Sequence, residues 1–264
     1  MAAEKETTAM ARRSMASAAM RKPKDPEQSR ADILRAATAE FAARGLEGAR
    51  VDAIARQTRT TRAMIYYYFG SKEALYLAVL ENAYRGIREA EKGLDLAHLS
   101  PGEAMRQLVA FTFDYYQAHP EFVALVVAEN QSGGRHIRKM QRMRRLNVSI
   151  INTVKEVLDR GRRGGAFRTG FDAIELHMTI AALGWFQIAN RHTFGYLFQR
   201  DFTALKTVER HRALVIDVVL QFVGSSAPSQ KRGARSAQRT RITELTAMEQ
   251  GETRIGSFSD RPAE

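Results

Sequence analysis

Residues 54–75 decide the fold: Ile54-Ala55-Arg56-Gln57-Thr58-Arg59-Thr60-Thr61-Arg62-Ala63-Met64-Ile65-Tyr66-Tyr67-Tyr68-Phe69-Gly70-Ser71-Lys72-Glu73-Ala74-Leu75. Val51 to Gln57 reads as a short helix with Ile54 and Ala55 turned inward, and Thr58-Arg59-Thr60 as a brief break. Thr61 supplies a hydroxyl cap for a second short helix, Arg62 to Phe69. A supporting helix precedes the pair. It starts at Asp25-Pro26-Glu27-Gln28, carries the stripe Ile33, Leu34, Ala37 and Phe41, and ends at Gly45. A supporting helix, two short helices and a tight turn make a helix-turn-helix.

The run Tyr66-Tyr67-Tyr68-Phe69 constrains this segment further. Successive helical residues turn by about 100°, so four aromatic rings in a row sweep most of the cylinder. Ile65 and Phe69, four apart, suit the core, which leaves one or two tyrosines facing outward. A free phenolic hydroxyl on a helix face donates well to phosphate. The alternative is a set of ordinary core aromatics with wetted tips.

Outward from this segment nearly everything reads as helix. Ser71 caps a helix with Leu75, Leu77, Val79 and Leu80. Ser100-Pro101-Gly102-Glu103 is a capping box, and its helix stops before Pro120. A second box, Asp172-Ala173-Ile174-Glu175, opens an apolar segment running through Trp185, and the last helix carries Leu214, Val215, Val218, Val219 and Phe222. No stretch alternates as a strand does, so the expected class is all-α. Residues 1–25 and 225–264 lack an apolar stripe and read as mildly basic disordered tails.

Composition bounds the function. The chain has 264 residues, 44% of them hydrophobic, enough for a sizeable core. With no cysteine, thiolate metal sites, iron–sulfur clusters and cysteine nucleophiles are excluded. Lysine and arginine number 41 against 29 acids, a net charge of +12, which favours a polyanionic partner. The longest uncharged run, Leu176 to Asn190, is short of the roughly 20 residues a membrane span needs. Neither a signal peptide nor a twin-arginine signal is readable, and the expected location is the cytoplasm. Metalloprotease, dinucleotide, Walker and esterase-elbow motifs are absent. His177 and His192 have no ligand companion at i+3 or i+4, so neither metal nor cofactor is expected.

Residues 54–75 resemble the DNA-binding signature of the TetR family of bacterial transcriptional regulators, and Ile33-Leu34-x-Ala36-Ala37-x-x-x-Phe41-x-x-x-Gly45 resembles that family's first helix. The resemblance covers about residues 27–87. It implies a helix-turn-helix domain over 26–87, with the motif itself at about 50–69, followed by a helical effector and dimerisation domain over 88–224. It also assigns roles. Thr61, Arg62, Ala63 and Met64 fall where such proteins touch base edges. Tyr66, Tyr67 and Lys72 fall where they touch phosphate, Tyr68, which replaces a common histidine, is counted with them among the DNA contacts, and Arg50 stands where a capping Ser or Thr often touches the backbone. Arg59 replaces the turn glycine, and a left-handed arginine costs about 1 kcal/mol. Arg62 has the fork to pair with guanine O6 and N7.

Further along, Arg135, Arg138, Arg142 and Arg145 are spaced to share one helical face. Met140, Met143, Asn147, Ile150, Val154 and Val157 are spaced to share the opposite one. That basic face is either solvated or a surface for acidic partners or flanking DNA, and Asn147 is either a satisfied amide or a ligand contact. Arg160-Gly161-Arg162-Arg163-Gly164-Gly165 reads as a loop rather than an RNA-binding fragment. Phe111, Tyr115, Phe122, Asn147, His177 and Trp185 are the candidate effector contacts. The expected protein is a ligand-responsive regulator, a repressor, that binds a palindromic double-stranded DNA operator. An activator of the same fold and an all-α enzyme are the alternatives. A homodimer through helices at about 173–194 and 208–223 would cover their surplus apolar surface.

Overall fold

The computed structural model describes residues 25–225, so the expected tails lie outside the described residues except for Asp25 and Ser225. The described residues are helical throughout: α1 (Pro26–Gly48), α2 (Val51–Thr58), α3 (Arg62–Phe69), α4 (Lys72–Glu91), α5 (Pro101–Ala118), α6 (Pro120–Gln131), a 3₁₀ turn (Ile137–Lys139), α7 (Gln141–Arg163), α8 (Ala173–Leu197) and α9 (Leu205–Val223). The only strand-like pairing among the described residues is an isolated bridge between Phe167 and Gly224.

The caps form as their residue types dictate. Asp25 accepts from the Glu27 amide, Thr61 from Met64 and Ser71 from Ala74. Reciprocal capping boxes open α5 at Ser100/Glu103 and α8 at Asp172/Glu175. Gly45, with φ 64°, bends the end of α1. Arg59 takes the left-handed conformation (φ 53°, ψ 38°) that closes the turn between α2 and α3. Thr58 belongs to α2 rather than to the break. Its hydroxyl donates 2.9 Å to the Ile54 carbonyl, so the turn is shorter by a residue than the sequence suggests.

Three apolar clusters follow. One holds α1–α3 together with the start of α4, around Ile33, Phe41, Ile54, Ile65, Leu75 and Tyr76, and it takes in Leu125 of α6. The largest joins α5, α7, α8 and α9 around Leu108, Phe113, Val154, Leu176, Ile180 and Val219. The third mixes aromatic and aliphatic residues and lies where α4, α5, α6 and α8 meet.

Two sequence expectations are corrected. Arg135, Arg138, Arg142 and Arg145 do not share one helical face, because α7 begins only at Gln141. Gly133 and Gly134 both take positive φ, and the Glu129 carboxylate captures the His136 and Ile137 amides at 2.9 Å each. That interrupts the helix. The basic residues there are committed to neighbours instead: Arg135 to Glu47 of α1 at 3.0 Å, and Lys139 and Arg142 to Glu73 and Glu81 of α4. The run Arg160–Arg163 is the last turn of α7, not a loop. Arg160 donates to the carbonyls of Leu96, Ala97 and Leu99, and Arg162 to that of Phe171.

Glu129 is 4% exposed, and its other oxygen accepts from the Tyr76 hydroxyl at 3.2 Å and lies 2.9 Å from His136 Nδ1. Backbone hydrogen bonds from Ile137 and His136 and the His136 contact outweigh burial and hold this carboxyl below the usual glutamate range. Glu129→Ala is expected to strand two amides and a buried phenol and to cost roughly 3 kcal/mol or more in a denaturant melt. Gly161 is needed for close approach, since a Cβ there would sit 2.0 Å from the buried Phe167 ring. Gly161→Ala is expected to destabilise the fold by about 1–3 kcal/mol, read as a lowered thermal midpoint.

Candidate functional site

Helix α3 stands on Ile65 and Phe69, which are buried, and presents Thr61, Arg62, Ala63 and Met64 on its exposed side. Of the three tyrosines, Tyr67 is 80% exposed, while Tyr66 and Tyr68 are half-buried against the core of the first three helices. The rings thus divide between an outward-facing and a core-facing placement. Arg62 donates 3.2 Å to the Tyr66 hydroxyl, lies over that ring at 5.4 Å, and sits 3.8 Å from the Asp52 carboxylate. These contacts hold the guanidinium along the exposed face. Lys72 donates 3.1 Å to the Glu47 carbonyl at the end of α1, which leaves its other two N–H donors free for an anion. Arg50 caps α2 with backbone alone, and its amide is taken by Glu40 at 2.9 Å, so its side chain remains exposed. The nine sequence-selected residues therefore lie on α3 or at the helix ends beside it.

Of the six candidate effector residues, Phe111, Tyr115, Phe122 and Trp185 are drawn into the single aromatic cluster between α4, α5, α6 and α8. Phe122 stacks on Tyr116 at 5.8 Å and meets Tyr84 edge-on at 5.3 Å. His177 lies beside this cluster, and burial together with the Arg88 charge pushes it down to about 4. Asn147 is elsewhere: its amide donates 2.9 Å to the Met143 carbonyl within α7, and α7 contributes nothing to the aromatic cluster. It is a satisfied amide, the first of its two sequence readings.

The sequence reading missed the polar heart of this region. Arg88 of α4 is buried and the Glu91 side chain is largely covered, with Nη1 and Oε2 3.0 Å apart. Their signal is their place in the stripe: Leu80, Tyr84, Ile87, Arg88 and Glu91 continue the inward face of α4, so two charges stand where apolar residues belong. A separate cavity of about 240 Å³ opens between α8 and α9, lined by Phe186, Gln187, Phe194, Phe202, Arg210 and His211 among others. It contains none of the six candidates.

Comparison with known proteins places the whole assembly. The family model for bacterial regulatory proteins of the tetR family matches residues 33–79, and the model for the tetracyclin repressor-like C-terminal domain matches residues 101–219. The chain is 38% identical over 175 residues to the HTH-type transcriptional repressor NicS of Pseudomonas putida, spanning 66% of this chain and 82% of that protein. It is also 38% identical over 113 residues to the HTH-type transcriptional repressor SCO4008 of Streptomyces coelicolor, covering 42% of this chain and 54% of that one. A crystal structure of a tetR-family regulatory protein from Rhodococcus RHA1 superposes with a TM-score of 0.60 at 18% identity, covering 76% of this chain and 99% of that chain, a likeness of fold. No described helix is long and apolar enough to cross a membrane. With both halves matched and a repressor relative aligned over most of its length, the chain belongs to the TetR family of DNA-binding bacterial transcriptional regulators.

Proposed function

We propose that the protein is a ligand-responsive repressor that grips a palindromic operator as a homodimer, with α3 in the major groove and the helices after about residue 88 receiving a small-molecule effector. The observation that carries the DNA reading is the exposed ridge Thr61-Arg62-Ala63-Met64 on a helix anchored by Ile65 and Phe69. Thr61, Arg62, Ala63 and Met64 are assigned to base edges. Tyr66, Tyr67, Lys72 and the Arg50 side chain are assigned to backbone phosphates, and Tyr68 supports the helix from its half-buried side. Repression is supported by the repressor names of both similar proteins.

The dimer reading rests on two bare ridges. On α8, Ile174, Met178, Ala182 and Phe186 follow one another at four-residue spacing, and the first two are 62% and 65% exposed. On α9, Leu214, Val218 and Phe222 do the same. Both helices also have a buried face in the core, so their outer faces are surplus apolar surface. Two copies related by a twofold axis would close these ridges into a four-helix bundle and set two α3 helices on the half-sites of a palindrome. α8 runs to Leu197 and α9 begins at Leu205, so the two helices assigned to the bundle are longer than the sequence alone suggests.

Arg62→Ala is expected to cost about 1–3 kcal/mol on the selected operator and to relax preference at particular base pairs. Tyr66→Phe is expected to weaken binding on all sequences, both by losing a phosphate donor and by freeing Arg62. Fluorescence anisotropy on a selected duplex and on scrambled DNA reads both effects. Unchanged operator affinity in both variants would remove α3 from the major groove. Wild-type protein is expected to scatter light as a species of twice the chain mass. Val218→Arg is expected to give a folded monomer with sharply reduced operator affinity, and a wild type of single-chain mass would end the bundle.

A further inference from the structure

Arg88 is 4% exposed, inside the chain, and poorly served by it. Its Nη1 has an ionic contact with Glu91 but not the alignment of a hydrogen bond, and neither Nε nor Nη1 has a hydrogen-bond partner. Glu91 Oε1 is likewise buried and unpartnered. A buried ion pair kept for structure is ordinarily saturated with hydrogen bonds, because each unmet donor or acceptor costs desolvation that nothing offsets. Nε carries one N–H and Nη1 two, so this buried guanidinium is short of acceptor oxygens. The surroundings are flat aromatic faces. Tyr84 comes from α4, Tyr115 and Tyr116 from α5, and Phe122 from α6, with ring pairs at 5.3–6.3 Å. The Tyr115 hydroxyl lies over Gly86, where a Cβ would meet it at 2.9 Å, so the absence of a side chain on α4 admits a phenol beside Arg88.

We propose that Arg88 is the recognition point of the effector site and that the effector is a flat aromatic carboxylic acid, held by its carboxylate on the guanidinium and by its ring among Tyr84, Tyr115, Tyr116 and Phe122. This rests on the ligand-responsive reading above and deepens it. The charges close as follows. Tyr84, Tyr115 and Tyr116 are pushed up by burial and stay uncharged, and His177, held down to about 4, is neutral at physiological pH. Glu91 is pushed up to about 7 by burial, against the pull of Arg88. When an anion takes over the guanidinium, Glu91 accepts a proton from solvent and becomes a neutral acid. Arg88 and the ligand then balance, and above pH 7 up to one proton is taken up per acid bound. Binding therefore tightens as pH falls toward about 7 and levels off below it, where Glu91 is already protonated in the free protein. Arg88 is on the same helix as Leu75 and Tyr76 of the DNA-binding core, so a pull on its side chain acts on α4, the helix that both regions share.

Trp185, the only tryptophan, packs on this aromatic cluster and reports on it directly. Full-length protein is titrated with millimolar benzoate, benzamide and cyclohexanecarboxylate, following Trp185 fluorescence and the thermal midpoint. Benzoate is expected to saturate both signals, with benzamide and the saturated acid roughly tenfold weaker or more. Arg88→Gln is expected to abolish benzoate binding. The double variant Arg88→Gln/Glu91→Gln, which leaves no lone buried charge, is expected to fold and to lose the preference for benzoate over benzamide. Equal binding of benzoate and benzamide to wild type, no binding of benzoate, or benzoate binding that survives in the double variant would each overturn the proposal. Operator release is measured separately. Benzoate bound through Arg88 with operator affinity unchanged would leave this site standing and defeat the ligand-responsive reading. Release by a non-acidic compound, with no effect of aromatic acids, would do the reverse.

Discussion

Helix α4 is a single rod with its two ends in different cores. Its first half puts Leu75, Tyr76, Val79 and Leu80 into the cluster that supports α3. Its second half puts Ile87 into the aromatic cluster with α5, α6 and α8. At about 1.5 Å per residue, some 18 Å of continuous helix separate Tyr76 from Arg88. Because packed interiors respond to displacement by discrete repacking rather than smooth deformation, neither end shifts without the other being felt. The position of α3 relative to the rest of the chain is therefore bound up with what packs around the far end of α4.

A second connection runs beside the first. Tyr76 of α4 and the segment His136–Ile137 converge on one buried carboxylate, Glu129 of α6. Around this buried point, Glu47, Glu73 and Glu81 take up Arg135, Lys139 and Arg142 at the surface. Exposed ion pairs of this kind contribute little individually, of the order of 0–1 kcal/mol. Their role is in orientation, and it is sensitive to salt. The same pairing explains why a conspicuously basic stretch of sequence is not a free basic surface: a good part of its charge is spent within the chain.

The two buried polar centres differ in kind. At Glu129 every acceptor site faces a donor, as expected of a polar group kept for architecture. At Arg88 and Glu91 donors and an acceptor are left unmatched among aromatic rings. Natural sequences are generally consistent from local pattern to tertiary packing, and their exceptions gather where function is carried. The contrast within one molecule is what separates a structural polar network from a binding site.

Much of this was legible in the order of residues. Local rules sufficed for Thr61, Ser71, Ser100 and Asp172, because a cap is a contact between a side chain and a backbone amide three residues on. The helix-turn-helix, the left-handed Arg59 and the outward ridge of α3 followed from spacing and from the family resemblance for the same reason: each is settled within about ten residues. What failed or was missed depends on distant partners. Whether α7 began near residue 135 or at Gln141 was decided by Glu129 reaching the His136 and Ile137 amides from another helix. Gly161 looked like part of a loop until Phe167 packed on it. Spacing put Ile65 and Phe69 down and one or two tyrosines out, but how deeply Tyr66 and Tyr68 are covered was decided by the helices packed against them. Arg88 and Glu91 stand in the inward stripe of α4, but only the arrival of α5, α6 and α8 takes them out of water. Sequence periodicity determines which face of a helix is apolar, but the identity and number of the helices that cover it are set by tertiary packing, and with them the desolvation that turns a charge into a site.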